Sequence, residues 1–190
     1  MHRDRFASYS QLASVYREGR DYRITVLRRG SGVGVLAPHG GHIERGCSEV
    51  ARAIAGDEFD LYLFEGLLPS HNFEQLHITS SRFDEPRAIG LLAECEQVLI
   101  VHGVADAGTR ALIGGRDRRL ACTLADALYV RGVPAWTSAH RYAGLSAANL
   151  CNRGRRGAGL QLELSDRLRG GPLQSAVVAA ARRVLAQAGR

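Results

Sequence analysis

The sequence predicts an α/β fold: a single domain with a mixed, mostly parallel sheet flanked by helices on both faces. Three observations predict it. Short, continuously apolar runs alternate along the chain with stretches of helical periodicity. The apolar runs lack the in/out alternation of a half-exposed sheet, so both faces need covering. The 190 residues suffice for one core and fall short of two.

The elements follow in order. Tyr22–Leu27 and Gly32–Ala37 read as strands, Ser48–Ala55 as a short helix, and Phe59–Phe64 and Phe73–Thr79 as further strands. Asp84, before Glu85-Pro86, reads as a helix N-cap with proline just inside, and that helix runs to about Cys95. Gln97–Val101 is a compact apolar strand and Arg110–Ile113 a candidate for another. Arg118–Val130 is helical and Val133–Thr137 a strand. Residues 138–158, rich in Gly, Ala, Asn and Arg, read as an irregular loop. Leu160–Leu164 is a strand and Pro172–Ala188 an amphipathic closing helix. There are no repeats and no Pro/Ser-rich linker.

Hydrophobic residues make up 45%, and no apolar run approaches the roughly 18 residues of a membrane span. The charged start Met1-His2-Arg3-Asp4-Arg5 is followed by no apolar signal core, so a cytoplasmic location is expected, with release on lysis compatible. Cys47, Cys95, Cys122 and Cys151 are widely spaced and form no CxxC, which argues against a disulfide framework and a cysteine zinc site. The net charge is +6, and all 25 basic residues are arginine. Codon bias accounts for that, yet arginine also suits carboxylate recognition, because its planar fork binds two oxygens at once.

Ligands of such sheets bind beyond the carboxyl ends of the strands. There the chain carries metal-type chemistry. Val33–Ala37 runs into Pro38-His39-Gly40-Gly41-His42-Ile43-Glu44, and Val98–Val101 runs into His102-Gly103. Glu163 sits inside an otherwise apolar strand. A catalytic zinc needs three protein ligands and an open position for water, and His39, Glu44 and His102 supply two imidazoles and a carboxylate. A turn through Gly40-Gly41 would fold His39 and Glu44 together. Glu163 suits the general base, because a carboxylate in an apolar strand needs a reason to be buried. Alternatives stand beside this set: His42 alternates with Glu44 and competes as a ligand, His71, His77 and His140 are available, and Glu163 could pair with Arg167 or Arg169.

At these residues the sequence resembles the poly-γ-glutamate hydrolase family, best known from bacteriophages and also found in bacteria. The matching segments are Ala37–Glu44, Leu76–Pro86, Val101–Gly103, Ile113–Arg116, Asn149–Gly154 and Gln161–Ser165, in the family's order across nearly the whole chain. The resemblance implies a zinc carboxypeptidase-like fold over residues 1–190, zinc held by His39, Glu44 and His102, and catalysis by Glu163. His42 is a mild departure from the family pattern. The implied substrate, poly-γ-glutamate, leaves a free α-carboxylate on every residue, so cations should line the cleft. Arg82, Arg116 and Arg153 lie in matching segments and are candidates for binding those carboxylates or the developing oxyanion. For Arg82 the alternative is an ion pair with Asp84. His77 either donates a hydrogen bond in the site or is structural.

Two other functions compete. One is a metallo-amidohydrolase of small acylated or γ-linked glutamyl amides. The other is a basic nucleic-acid-binding protein, for which the Arg153-Gly154-Arg155-Arg156 cluster is the only local patch. The arginines are otherwise scattered and no nucleic-acid motif is present, so neither nucleic acid nor membrane is expected as a partner. Oligomeric state is not legible.

Overall fold

The structure, a computed structural model, describes residues 4–188. Helix α1 (Tyr9–Val15) leads into strands β1 (Tyr22–Leu27) and β2 (Val33–Gly41), helix α2 (Cys47–Ala55) and strand β3 (Asp60–Gly66). Helices α3 (Asn72–Leu76) and α4 (Pro86–Leu92) precede β4 (Gln97–Val104) and β5 (Ala111–Gly114). Then come α5 (Arg118–Tyr129), β6 (Ala135–Trp136), β7 (Leu160–Ser165), α6 (Asp166–Gly170) and α7 (Gln174–Ala188).

The seven strands form one sheet in the order β1-β3-β2-β4-β7-β5-β6. The β2–β3, β2–β4, β4–β7 and β5–β6 pairs are parallel, while β1–β3 and β5–β7 are antiparallel. The sheet is mixed and mostly parallel, as the apolar runs predict. Successive strand residues feed opposite cores. Val35, Leu63, Val101 and Leu162 pack under α2, α5 and α7. Leu36, Tyr62, Phe64 and Ile100 pack under α1, α3 and α4 on the other face. Helix α7 buries Val177, Ala180, Ala181 and Val184, which recur at three- and four-residue spacing on one stripe. No helix among the described residues is long and apolar enough to cross a membrane.

Several boundaries differ from expectation, each for a local reason. Phe73–Thr79 is not a strand: Asn72–Leu76 is a short helix and an extended segment follows. Its alternating apolar residues serve one buried face, with Leu76 and Ile78 fully covered. The cap of α4 is Glu85, whose carboxylate accepts from the Ala88 amide at 2.9 Å, while Asp84 instead accepts from the Tyr9 amide at 2.6 Å. That helix stops at Leu92, three residues short of Cys95. Strand β6 keeps only two of the five residues expected of it. Residues 138–158 are irregular as expected, apart from a 3₁₀ turn at Leu150–Asn152. Helices α1 and α6 carry too few apolar residues to announce themselves.

One departure positions the site. Strands β2 and β4 extend beyond their apolar runs, so His39 and His102 lie within strands. The β2–β4 pairing ends at Leu36↔Ile100. The β2–β3 register slips between Ala37 and Gly40, which leaves Pro38 and His39 unpaired. The two strands part there, and the crevice opens where the connections diverge to β3 on one side of β2 and to β4 on the other.

Candidate metal centre and catalytic cleft

His39, at the β2 bulge, is 2% exposed. The chain then turns sharply. Gly41 has φ +60°, and a Cβ there would meet the Gly66 carbonyl at 2.6 Å, so glycine is required. The Glu44 amide donates back to the His39 carbonyl at 2.9 Å, which brings both side chains to one place. The Glu44 carboxylate lies 3.2 Å from His39 Nδ1 through Oε1, and its Oε2 accepts from the Gly103 amide at 2.7 Å. His102 Nδ1 is 3.1 Å from His39 Nδ1 and 3.6 Å from Glu44 Oε2.

The outer nitrogens bear on the tautomers. His39 Nε2 lies 2.9 Å from the Ile78 carbonyl and must donate to it, and His102 Nε2 lies 2.9 Å from Ser80 Oγ. The Ser80 hydroxyl can donate or accept; with Nε2–H donating on both rings, each Nδ1 offers its lone pair inward. Two lone pairs and a carboxylate facing one another repel unless a cation is shared among them. Donors on a tetrahedral zinc at about 2.0–2.1 Å stand roughly 3.3 Å apart, close to the separations found here. The donor set therefore fits zinc. A second grouping, His39, Glu44 and His77, also holds donor atoms within 4.8 Å. His77 Nε2 stands 4.0 Å from Glu44 Oε1, wider than His102 stands from either partner, so His102 is the better third donor.

Glu163 pairs in register with His102 across β4 and β7, and both side chains face the cleft. It is 6% exposed, and its Oε1 accepts from Gln161 Nε2 at 2.8 Å; Gln161 Oε1 in turn accepts from Asn149 Nδ2 at 2.9 Å. Burial pushes the Glu163 pKa up to about 7, with Glu44 adding to the rise against His102. Burial works against the charge on Glu44 too, yet His39 and His102 outweigh it and hold that carboxyl well below its usual range. For His102 burial opposes the charged form, but Glu163 and Glu44 raise its pKa. Two carboxylates two strands apart are thus driven in opposite directions, the pattern that separates ligand from base.

These residues line a cleft of about 400 Å³ with His77, Thr79, Ser80, Arg141 and Tyr142. A cavity of similar size, about 410 Å³, lies at the amino ends of the strands beside Gln97, Asp117 and Arg119, and it gathers no ligand or acid–base set.

The expected cleft arginines lie elsewhere. Arg82 pairs with Asp4, not Asp84. Arg116 Nε donates to the Leu145 carbonyl at 2.8 Å, and Arg153 donates to the Phe83 carbonyl at 3.1 Å. None of the three lines the cleft. Arg141 does, stacked on the Tyr142 ring and donating to its hydroxyl at 2.7 Å. It stands in the irregular segment, where no sequence signal singles it out. His42 is exposed and turned to the Leu68 carbonyl, away from the donor cluster. His77 does not donate into the site: its Nδ1 is 2.7 Å from Asp4 Oδ1. Burial, then the neighbouring His39, lower the His77 pKa to about 4.

A profile of the family described as poly-gamma-glutamate hydrolase matches residues 6–183. The Bacillus subtilis UPF0714 protein YndL is 42% identical over 151 residues, which are 78% of this chain and 59% of YndL. The chain thus spans less than two thirds of that relative. A solved bacteriophage poly-gamma-glutamate hydrolase superposes with a TM-score of 0.91 at 28% identity, covering 98% of both chains. A structure of YndL in its apo, zinc-free form superposes with the same score at 34% identity, covering 98% of this chain and 99% of the other.

Proposed function

The chain belongs to the poly-gamma-glutamate hydrolase family, and on that premise we propose that it is a zinc-dependent amide hydrolase that cleaves γ-glutamyl linkages of poly-γ-glutamate. The observation that carries the reading is the convergence of His39 Nδ1, His102 Nδ1 and the Glu44 carboxylate within 3.6 Å of one another, beside a buried Glu163. The phage hydrolase of the same fold and the zinc-free form of YndL support it.

His39, Glu44 and His102 would hold the zinc. When bound, it polarises the amide carbonyl and makes water acidic enough to attack near neutral pH. Glu163 takes a proton from that water and later delivers it to the departing amine. Its raised pKa suits both proton transfers, being basic enough to accept and acidic enough to give back. Gln161, itself held by Asn149, donates to Glu163 Oε1 and leaves the other oxygen for the transfer. Arg141 makes no ion pair among the described residues, and it is the cation the cleft offers to the substrate's α-carboxylates. The reaction takes place in the cytoplasm or, after lysis, outside it.

The test is a gel of poly-γ-glutamate incubated with the purified protein, with and without a chelator, then with zinc restored. Shortening that stops with chelator and returns with zinc supports the reading. An intact polymer in the presence of zinc-loaded protein overturns the substrate, and short γ-glutamyl amides then become the candidates.

A further inference from the structure

Asp4 lies 73 residues before His77 in the chain, yet the two are joined in a hydrogen bond of 2.7 Å. The Asp4 side chain is 2% exposed. Its Oδ1 takes His77 Nδ1, and its Oδ2 takes the Thr79 amide at 2.8 Å and the Arg82 guanidinium. A carboxylate with this many donors accepts only. The proton on His77 therefore sits on Nδ1, and Nε2 carries a lone pair. The ring is clamped between Phe73, with centroids 4.5 Å apart, and His39, at 4.1 Å. Clamp and carboxylate together allow one ring orientation, with Nε2 turned into the cleft 4.0 Å from Glu44 Oε1.

Neither zinc binding nor the proton transfers of Glu163 use that lone pair. At 4.0 Å from Glu44 Oε1 it stands wider than the roughly 3.3 Å between tetrahedral donors, yet near enough that a water beside the Glu44 carboxylate can donate one hydrogen bond to it at roughly 2.8 Å. We propose that His77 is a further catalytic residue, whose Nε2 accepts a hydrogen bond from the hydrolytic water, and that Asp4 is the positioning residue that fixes its tautomer and aim. The inference rests on the hydrolase reading above. The water gives one proton to Glu163 and keeps the other, which stays bonded to oxygen and directed at His77 while the oxygen lone pair turns to the carbonyl. His77 neither gains nor loses a proton in the cycle.

The test has two readouts besides turnover. Nitrogen-15 NMR of the metal-free protein should show His77 protonated on Nδ1, and Asp4→Ala should convert it to a tautomer mixture. Zinc affinity, measured by chelator competition, should stay within threefold in His77→Leu while kcat falls about 10–100-fold, the usual effect of such a partner. His77→Gln, which places an acceptor near the position of Nε2, should recover part of the rate. Asp4→Asn, isosteric but with one acceptor oxygen in place of two, covers the case in which Asp4→Ala does not fold. A wild-type His77 protonated on Nε2 overturns the proposal. So does zinc affinity that falls in step with turnover in His77→Leu, which would make His77 a ligand, or an unchanged kcat. If wild-type protein leaves poly-γ-glutamate intact, the substrate reading fails, while the tautomer and the zinc affinity still decide the role of this pair.

Discussion

His39 and His102 present their Nδ1 atoms to each other at 3.1 Å, each with its Nε2 committed elsewhere, to the Ile78 carbonyl and to Ser80 Oγ. Imidazoles arranged this way can share a common cation. The sheet brings them there by parting β2 from β4 just beyond Leu36 and Ile100.

Zinc should therefore stabilise the folded chain by mass action, by about 2.7 kcal/mol at a hundredfold excess over its dissociation constant. Thermal unfolding with and without zinc reads this directly. In His102→Ala the zinc-dependent shift in Tm should vanish. A shift that survives would give the third ligand to another residue, with His77 the first to examine.

Ser80 anchors the outer nitrogen of His102 and is itself buried. Ser80→Ala should free the ring and weaken zinc binding about 10–100-fold. Chelator competition measures it. Unchanged affinity would show that packing alone orients His102.

Glu163 gives a pH signature in the metal-free protein. Its folded pKa of about 7 lies above its ordinary 4.5, so the folded chain binds the proton more tightly than the unfolded chain does. That contribution to stability is fully present below pH 4.5 and is lost as the pH rises through 7. The loss is roughly 3 kcal/mol by pH 8, at about 1.4 kcal/mol per pH unit. Glu163→Gln cannot ionise. Metal-free Glu163→Gln should be more stable than wild type in denaturant at pH 8, and the gap should close towards pH 4.5. A gap that does not depend on pH would mean that burial has not raised this carboxyl.

A Cβ on Gly103 would meet the Arg169 guanidinium, which is buried and tied to the Arg45 carbonyl at 2.7 Å, so it can yield only by giving up that bond. The Gly103 amide holds Glu44. Gly103→Ala should cost about 1–3 kcal/mol of stability through overpacking and should also weaken zinc binding by displacing that amide. Denaturant midpoints and chelator competition separate the two effects. A neutral substitution would contradict the packing of Arg169 against β4.

The chemistry at the strand ends was legible because His39, His102 and Glu163 interrupt apolar runs, and the α/β layering was legible because those runs are continuous. Glu44 was legible through the two glycines that turn the chain back. What escaped depends on direction and distance. Arg82, Arg116 and Arg153 sit in the right segments, but adjacency to glycine does not say which way a guanidinium turns, and all three bond away from the cleft. Arg141 reaches the cleft from a segment without periodicity. Phe73–Thr79 has the apolar density of a strand, and only its packing on a single face makes the first half helical. Asp4 could not be found at all, since its partner lies 73 residues away.

The decisive measurement is Glu163→Gln, assayed for bound zinc and for shortening of poly-γ-glutamate in the same preparation. One zinc per chain is expected, as in wild type, with turnover reduced by about 10²–10⁴-fold, the range of a general base. Near-normal shortening by zinc-loaded Glu163→Gln would contradict the assignment and move the base elsewhere in the cleft.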